Sequence, residues 1–167
     1  MTRVLKERIF SGTRDPKVQE WETQHRQLAK EAAAEGIVLL KNEDQILPLK
    51  ARSKVALYGA GAGRTIKGGT GSGDVNERER VTIWQGMKNA GFEITSEDWI
   101  RSYEKIYEKA RQDWKDDIVT RSGGNGGNVM DFFTVYSTTP FVMPTGDPVE
   151  KPEKDCDTAI YVLSRVA

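Results

Sequence analysis

From Lys17 onward, Val18, Trp21, His25, Leu28, Ala29 and Ala32 recur at steps of three and four residues, which predicts one face of a helix. Asp15-Pro16 offers a start, because Asp caps and Pro suits a first turn, and Gly36 offers the stop. Residues 1–16 mix charges without a sustained period and read as an extended arm. After the helix, Ile37-Val38-Leu39-Leu40 reads as a short apolar strand and Leu47-Pro48-Leu49 as a loop. Lys54-Val55-Ala56-Leu57-Tyr58 reads as a buried strand bounded by Gly59. Val81, Trp84, Met87 and Ala90 give a second helical face ended by Gly91, and Phe92 to Thr95 a second short strand. Thr95 or Ser96, followed by Glu97 and Asp98, is a helix start signal. The helix it opens is the clearest in the chain. Trp99, Tyr103, Ile106, Tyr107, Ala110, Trp114 and Ile118 keep the period, with charge opposite, including Glu97 and Arg101 at i,i+4.

Past Val119 the period is lost. Ser122-Gly123-Gly124-Asn125-Gly126-Gly127-Asn128 has a linker composition, and Pro140, Pro144, Pro148 and Pro152 break any period beyond it. The stretch 120–152 therefore reads as a long irregular Gly/Pro-rich insertion, functional or mobile. Thr158 to Leu163 closes the pattern as a strand. Strand, helix, strand, helix, loop and strand predict an α/β fold, a three-layer sandwich with a mostly parallel sheet. No helix follows the last strand to cover it, so the expectation is a partial sandwich domain over 17–167 behind the arm at 1–16.

Composition narrows the function. Lys plus Arg and Asp plus Glu each number 25 in the 167 residues, for a formal net charge of +0. Without a basic stripe, neither nucleic acid nor an anionic membrane is an expected partner. No apolar run approaches the roughly 20 residues of a membrane helix, and the charged N-terminus Met1 to Arg8 is unlike a signal peptide. A cytoplasmic protein is the expectation. Cys156 and His25 are each the single residue of their type, so a disulfide framework, a zinc site and a Ser-His-Asp triad are all disfavoured, and no metal or cofactor is expected.

The most unusual stretch runs from Lys54 to Asp74, KVALYGAGAGRTIKGGTGSGD. A dinucleotide fingerprint would use Gly59 and Gly61, but Arg64 stands at the third glycine position and no helical pattern begins there. A P-loop counted from Gly61 puts Ile66 where its second glycine belongs. Both nucleotide readings fail on spacing. A loop for a neutral ligand fits the residue types better: glycine lets backbone approach a ligand, and the Thr70 and Ser72 hydroxyls donate and accept as sugar hydroxyls do. A tight turn in a solvated loop, with Asp74 capping it, accounts for the same composition.

The segment HRQLAKEAAAEGIVLLKNE, His25 to Glu43, closely resembles the one that opens the α/β sandwich domain of family 3 glycoside hydrolases, mainly β-glucosidases and related exo-acting enzymes. Leu47-Pro48-Leu49 and the strand Val55 to Gly59 follow in the family's order. KGGTGSGDVN, Lys67 to Asn76, is similar to the Gly-rich active-site loop of the bacterial β-glucosidase branch, and Asp157 to Arg165 to the strand leading to the acid/base loop. The resemblance implies a retaining mechanism with two carboxylates about 5 to 5.5 Å apart: an Asp nucleophile on a (β/α)8 barrel domain and a Glu acid/base in a Gly-Glu-Gly-like loop after the Ser164-Arg165 strand end. Neither carboxylate falls within this sequence, so the resemblance implies an inactive isolated chain. It also implies substrate contact by Ser72 at the glycone sugar, with Lys67, Thr70 and Asp74 shaping the loop. The early start of the motifs resembles the branch in which the barrel follows the sandwich.

Other features have plainer readings. His25 beside Trp21 and Leu28 suits packing or surface exposure. Trp99, Tyr103, Tyr107 and Trp114 imitate a sugar-stacking platform but at helical spacing read as a core stripe. Glu104 and Glu108 lie on a charged face, and Phe132, Phe133 and Tyr136 are either an aromatic contact over a barrel mouth or a mobile segment. The competing function is a stand-alone carbohydrate-binding or protein-interaction module, with homodimerisation through an open sheet edge.

Overall fold

The computed structural model describes residues 17–66, 68, 79–149, 155–156 and 158–164. The arm at 1–16 and the site candidates Lys67, Thr70, Ser72 and Asp74 lie outside the described residues. The described chain divides into two compact units, one holding 17–50, 68 and 79–80, the other 51–66 and the described part of 81–164.

In the first unit, α1 spans Glu20–Gly36, starting later than Asp15-Pro16 suggests. Glu20 and Glu22 sit in its first turn, where the helix dipole favours carboxylates, and the Glu22 carboxylate accepts the Gln19 backbone N–H at 3.1 Å. His25 lies edge-on to Trp21, 5.6 Å between ring centres. No residue of α1 is buried. Ile37 to Leu40, expected as a strand, are extended but join no ladder, and all four are exposed, Leu40 by 92%. The apolar run supplies strand propensity, but only a neighbouring strand can satisfy its N–H and C=O groups, and none pairs with it among the described residues. Asn42 closes the next loop by bonding both backbone groups of Leu47, at 2.6 and 3.0 Å.

The second unit is built on a parallel sheet in the order β2-β1-β3, with β1 at Lys54–Tyr58, β2 at Glu93–Ile94 and β3 at Ala159–Tyr161. This is the α/β arrangement that the strand and helix alternation predicts. Four helices accompany the sheet: α2 (Ala60–Gly63), α3 (Ile83–Asn89), α4 (Glu97–Arg121) and α5 (Val129–Thr138). Val55 and Leu57 of β1 are fully buried, packed in one core with Ile94 and with Ile100, Tyr103 and Ile118 of α4.

A strand buried in mid-sheet must have every backbone polar group paired. On one side β3 does this conventionally, with Ala56 N–H on Thr158 O at 3.0 Å and Val162 N–H on Tyr58 O at 2.8 Å. On the other side β2 is only two residues long. After Thr95 N–H has bonded Val55 O at 3.0 Å, the chain turns into α4. Ser96 completes the ladder with its side chain: Oγ accepts from Leu57 N–H and donates to Leu57 O, both at 2.7 Å. Ser96 is 2% exposed. It stands at the N-cap of α4, as the start signal predicts, but its hydroxyl does not cap the helix; the sheet has taken it.

The stretch 120–152, expected to be irregular, contains α5 and an ordered return along α4. Asn128 caps α5 by accepting Asp131 N–H at 2.9 Å. From Thr139 the chain runs antiparallel to α4: Trp114 Nε1–H donates to Thr139 O at 2.8 Å, Tyr103 O–H to Pro144 O at 3.1 Å, and Trp99 Nε1–H to Asp147 O at 2.8 Å. From Trp114 to Trp99 the helix rises about 22 Å at 1.5 Å per residue. Covering that between Thr139 and Asp147 takes close to 3 Å per residue, about the pitch of an extended polyproline-type chain. Pro140 and Pro144 favour this shape and bring no N–H that would need a partner. Gly146 passes directly over the ring stack of Trp99 and Tyr103, where a Cβ would come within 2.8 Å of the indole. The aromatic stripe of α4 is a core stripe beneath a strap.

Replacing Ser96 with Ala leaves both Leu57 backbone groups buried and unpaired. The expected loss is about 1–3 kcal/mol of unfolding free energy, read from urea denaturation of the chain; a loss within experimental error would show that the sheet does not need the hydroxyl.

Candidate functional site

Open parallel sheets place ligands at the carboxyl ends of their strands, where neighbouring connections leave in different directions. Here β1 ends at Gly59 and β3 ends in Val162, Leu163 and Ser164. Gly59 has φ 92°, and a Cβ on it would lie 2.3 Å from Val162 O. A Cβ on Gly61 would lie 2.6 Å from Val162 Cγ1, and Gly61 N–H donates to Val162 O at 3.3 Å. These two glycines are what remains of the dinucleotide pattern, and their role is to let β3's exit pass against β1's turn. A single helical turn, α2, does begin at Ala60, contrary to the sequence expectation, yet its Gly61 amide is occupied by protein. Ser164 Oγ is buried in this corner without a hydrogen-bond partner.

The Gly-rich segment leaves the fold after α2 and rejoins it at α3. Thr65 fastens the two stems: its Oγ1 donates to Gly61 O at 2.7 Å and accepts Ile83 N–H at 2.9 Å. Ile83 N–H is one of the first-turn donors that no helical carbonyl reaches. Thr82 serves a second by accepting Gln85 N–H at 3.1 Å. Whatever residues 67–78 touch, they are delivered from a closed base at the carboxyl end of β1.

Beside this base, a cleft of about 430 Å³ is lined by Gly63, Thr82, Trp84, Gln85, Lys88, Asn89, Arg101 and Glu104. Glu97 holds both cations, Lys88 Nζ at 2.6 Å and Arg101 at 3.1 Å. The Lys88 hydrogen bond is the main reason its carboxyl sits below the ordinary value of 4.5, with burial opposing and Arg101 adding to the shift. Both cations also lie near the Trp84 ring, 5.3 and 5.1 Å from its centre. The Trp84 indole N–H makes no well-formed hydrogen bond; its dipole acts on Glu97. Arg64, on the neighbouring surface, lies 4.0 Å over the Tyr107 ring and pairs with Glu108 at 3.1 Å.

All four site residues expected from the sequence lie outside the described residues, so the structure gives the frame of the loop: Thr65, Gly59 and Gly61. Neither Thr65 nor Trp84 stands out as a site residue in the sequence. Thr65 sits between two ordinary neighbours, and only the folded distance to Ile83 shows what its hydroxyl does.

Residues 37–166 match the family described as glycosyl hydrolase family 3 C-terminal domain. The chain belongs to this family. Among curated proteins, it is 40% identical over 74 residues to beta-glucosidase A of Butyrivibrio fibrisolvens, covering 44% of this chain and 9% of that protein. It is 43% identical over 67 residues to thermostable beta-glucosidase B of Acetivibrio thermocellus, covering 40% of this chain and 9% of that one. Among solved structures, it resembles beta-glucosidase 3B of Thermotoga neapolitana, determined in complex with glucose. The TM-score is 0.51 at 30% identity over 87% of this chain and 18% of that one. The family 3 chain thus spans about a tenth of its curated relatives' length.

Two outcomes test this geometry. Thr65→Val keeps the shape and removes both stem hydrogen bonds; it should cost about 1–2 kcal/mol of stability and speed amide exchange at Ile83, and unchanged exchange would mean that the stems are held otherwise. Glu97 has a depressed folded pKa, so its stabilisation is present above the unfolded value near 4.5 and is lost as pH falls through the lower folded one. Glu97→Gln should therefore be less stable than the parent at pH 7, and the gap should close on acidification, as pH-dependent thermal melts will show.

Proposed function

We propose that this family 3 domain forms part of a retaining β-glucosidase-type enzyme and supplies the Gly-rich loop that contacts the glycone sugar. The observation that carries the reading is the family match over 37–166, because residues 67–76 fall inside it. The stem geometry supports it. A loop closed by Thr65 at the carboxyl end of β1 presents small residues and hydroxyls from a fixed base. Ser72 is the proposed contact to the sugar, with Thr70, Lys67 and Asp74 shaping the loop around it. The nucleophile would come from a (β/α)8 barrel partner domain, whose mouth this loop covers, and both reacting carboxylates would lie outside this chain. Loop contacts alone hold the sugar without stabilising charge at its reacting carbon, so the isolated chain should not turn over.

Incubating the purified chain with an aryl β-glucoside should give no sustained release of the aryl group. Grafting residues 37–166 in place of the matching segment of Thermotoga neapolitana beta-glucosidase 3B tests the loop itself. The graft should hydrolyse the same glucoside, and Ser72→Ala in it should lower kcat/KM by about tenfold or more, the loss of one or two hydrogen bonds in the transition state. An active graft indifferent to Ser72→Ala would remove the residue from the site.

A further inference from the structure

The cleft between α2, α3 and α4 is not accounted for by the loop. We infer that it is a second carbohydrate site, which takes a neutral β-linked oligosaccharide on the surface of the domain. Its volume of about 430 Å³ falls among small-molecule sites, which span about 300–1,000 Å³. Its charge argues against an anionic ligand. Lys88 and Arg101 are both committed to Glu97, and Glu104 adds a second carboxylate, so the lining carries no net charge with which to hold a phosphate or another anion. What remains uncommitted is a set of neutral or accepting groups. The side chains of Gln85, Asn89 and Glu104 make no hydrogen bond or ion pair among the described residues, and the Trp84 indole N–H lacks a well-formed partner. The two amides donate and accept while the carboxylate accepts, which suits a ring of hydroxyls. Trp84 offers an aromatic surface for the apolar C–H face of a sugar. Its ring is held in place by the Lys88 and Arg101 side chains, themselves fixed by Glu97.

Gly63 makes room for this carboxylate. A Cβ there would lie 2.9 Å from Glu104 Oε1 and 3.0 Å from Ile100 Cγ2. The absent side chain keeps Glu104 at the cleft wall instead of turned outward. The inference stands on α2, α3 and α4 alone and does not require Ser72 to touch a sugar.

The test is a titration of the full chain with cellobiose, followed through the indole N–H resonances. Trp99 and Trp114 are bonded to backbone carbonyls and serve as internal references. The Trp84 resonance should move with half-saturation on the order of millimolar, a binding free energy of about −4 kcal/mol, while the two references stay. Glu104→Gln and Asn89→Ala should each weaken the shift about fivefold, as expected for one lost hydrogen bond. Ser72→Ala should leave it unchanged, which separates this site from the loop. Inorganic phosphate should move nothing. A Trp84 resonance that ignores cellobiose overturns the inference, as does one that responds to phosphate. A response that survives both cleft variants but disappears in Ser72→Ala does so too, because it would place the sugar on the loop.

Discussion

The second unit depends on pairing the backbone of β1 on both sides. That strand is the middle of three and is buried along most of its length, so an unpaired N–H or C=O on it would cost more than any single side-chain contact returns. β3 pairs one side with backbone. On the other, β2 ends after two residues, and the Ser96 hydroxyl substitutes for the missing peptide group by both accepting from and donating to Leu57. Because Ser96 is also where α4 begins, this bond fixes the start of the longest helix against the central strand. The placement of Ile100 and Tyr103 in the core follows, and so does the line along which the strap from Thr139 to Asp147 can run.

The same device recurs at the candidate site. Thr65 uses one hydroxyl to satisfy a carbonyl of α2 and an amide of α3, so two helices with few turns of their own are tied by side chain instead of by length. α2 has four residues and α3 seven, too short to be stable alone. Their positions come from packing and from such bonds. A ligand loop strung between them is thereby held at its ends, while Gly59 and Gly61 let β3's exit lie close by.

The sequence is readable where burial and period agree. Lys54 to Tyr58 is apolar without a break and forms the central strand, and the stripe from Trp99 to Ile118 forms α4. It misleads where one signal has two uses. Ser96 looks like a helix cap, and stands at the cap position, but its hydroxyl is claimed by a strand 39 residues earlier in the chain. Ile37 to Leu40 have the composition of a buried strand and lie exposed, because composition specifies what a strand would bury and not whether another strand is beside it. The Pro-rich stretch looks formless in sequence because proline forbids helix and ladder alike. Against an aromatic helix face it forms an extended strap whose carbonyls take the indole and phenol donors. Thr65 and the free amides of the cleft give no warning, since their roles depend on distances that no local pattern encodes.

A division of labour between loop and cleft follows from what each can do physically. A loop that reaches a sugar beside reacting carboxylates can act on rate, because its hydrogen bonds can tighten as the ring distorts toward the transition state. A cleft on α3 and α4 cannot. Its Glu104 has no second carboxylate placed across a scissile bond, since Glu97 is spent on Lys88 and Arg101. Sugar held there remains ground-state bound, and its effect would be on local concentration and on the orientation of a longer chain. The two sites therefore differ in which kinetic parameter they can move: contacts made only in the transition state change kcat, while tethering a polymeric substrate changes KM and leaves short aryl glucosides untouched.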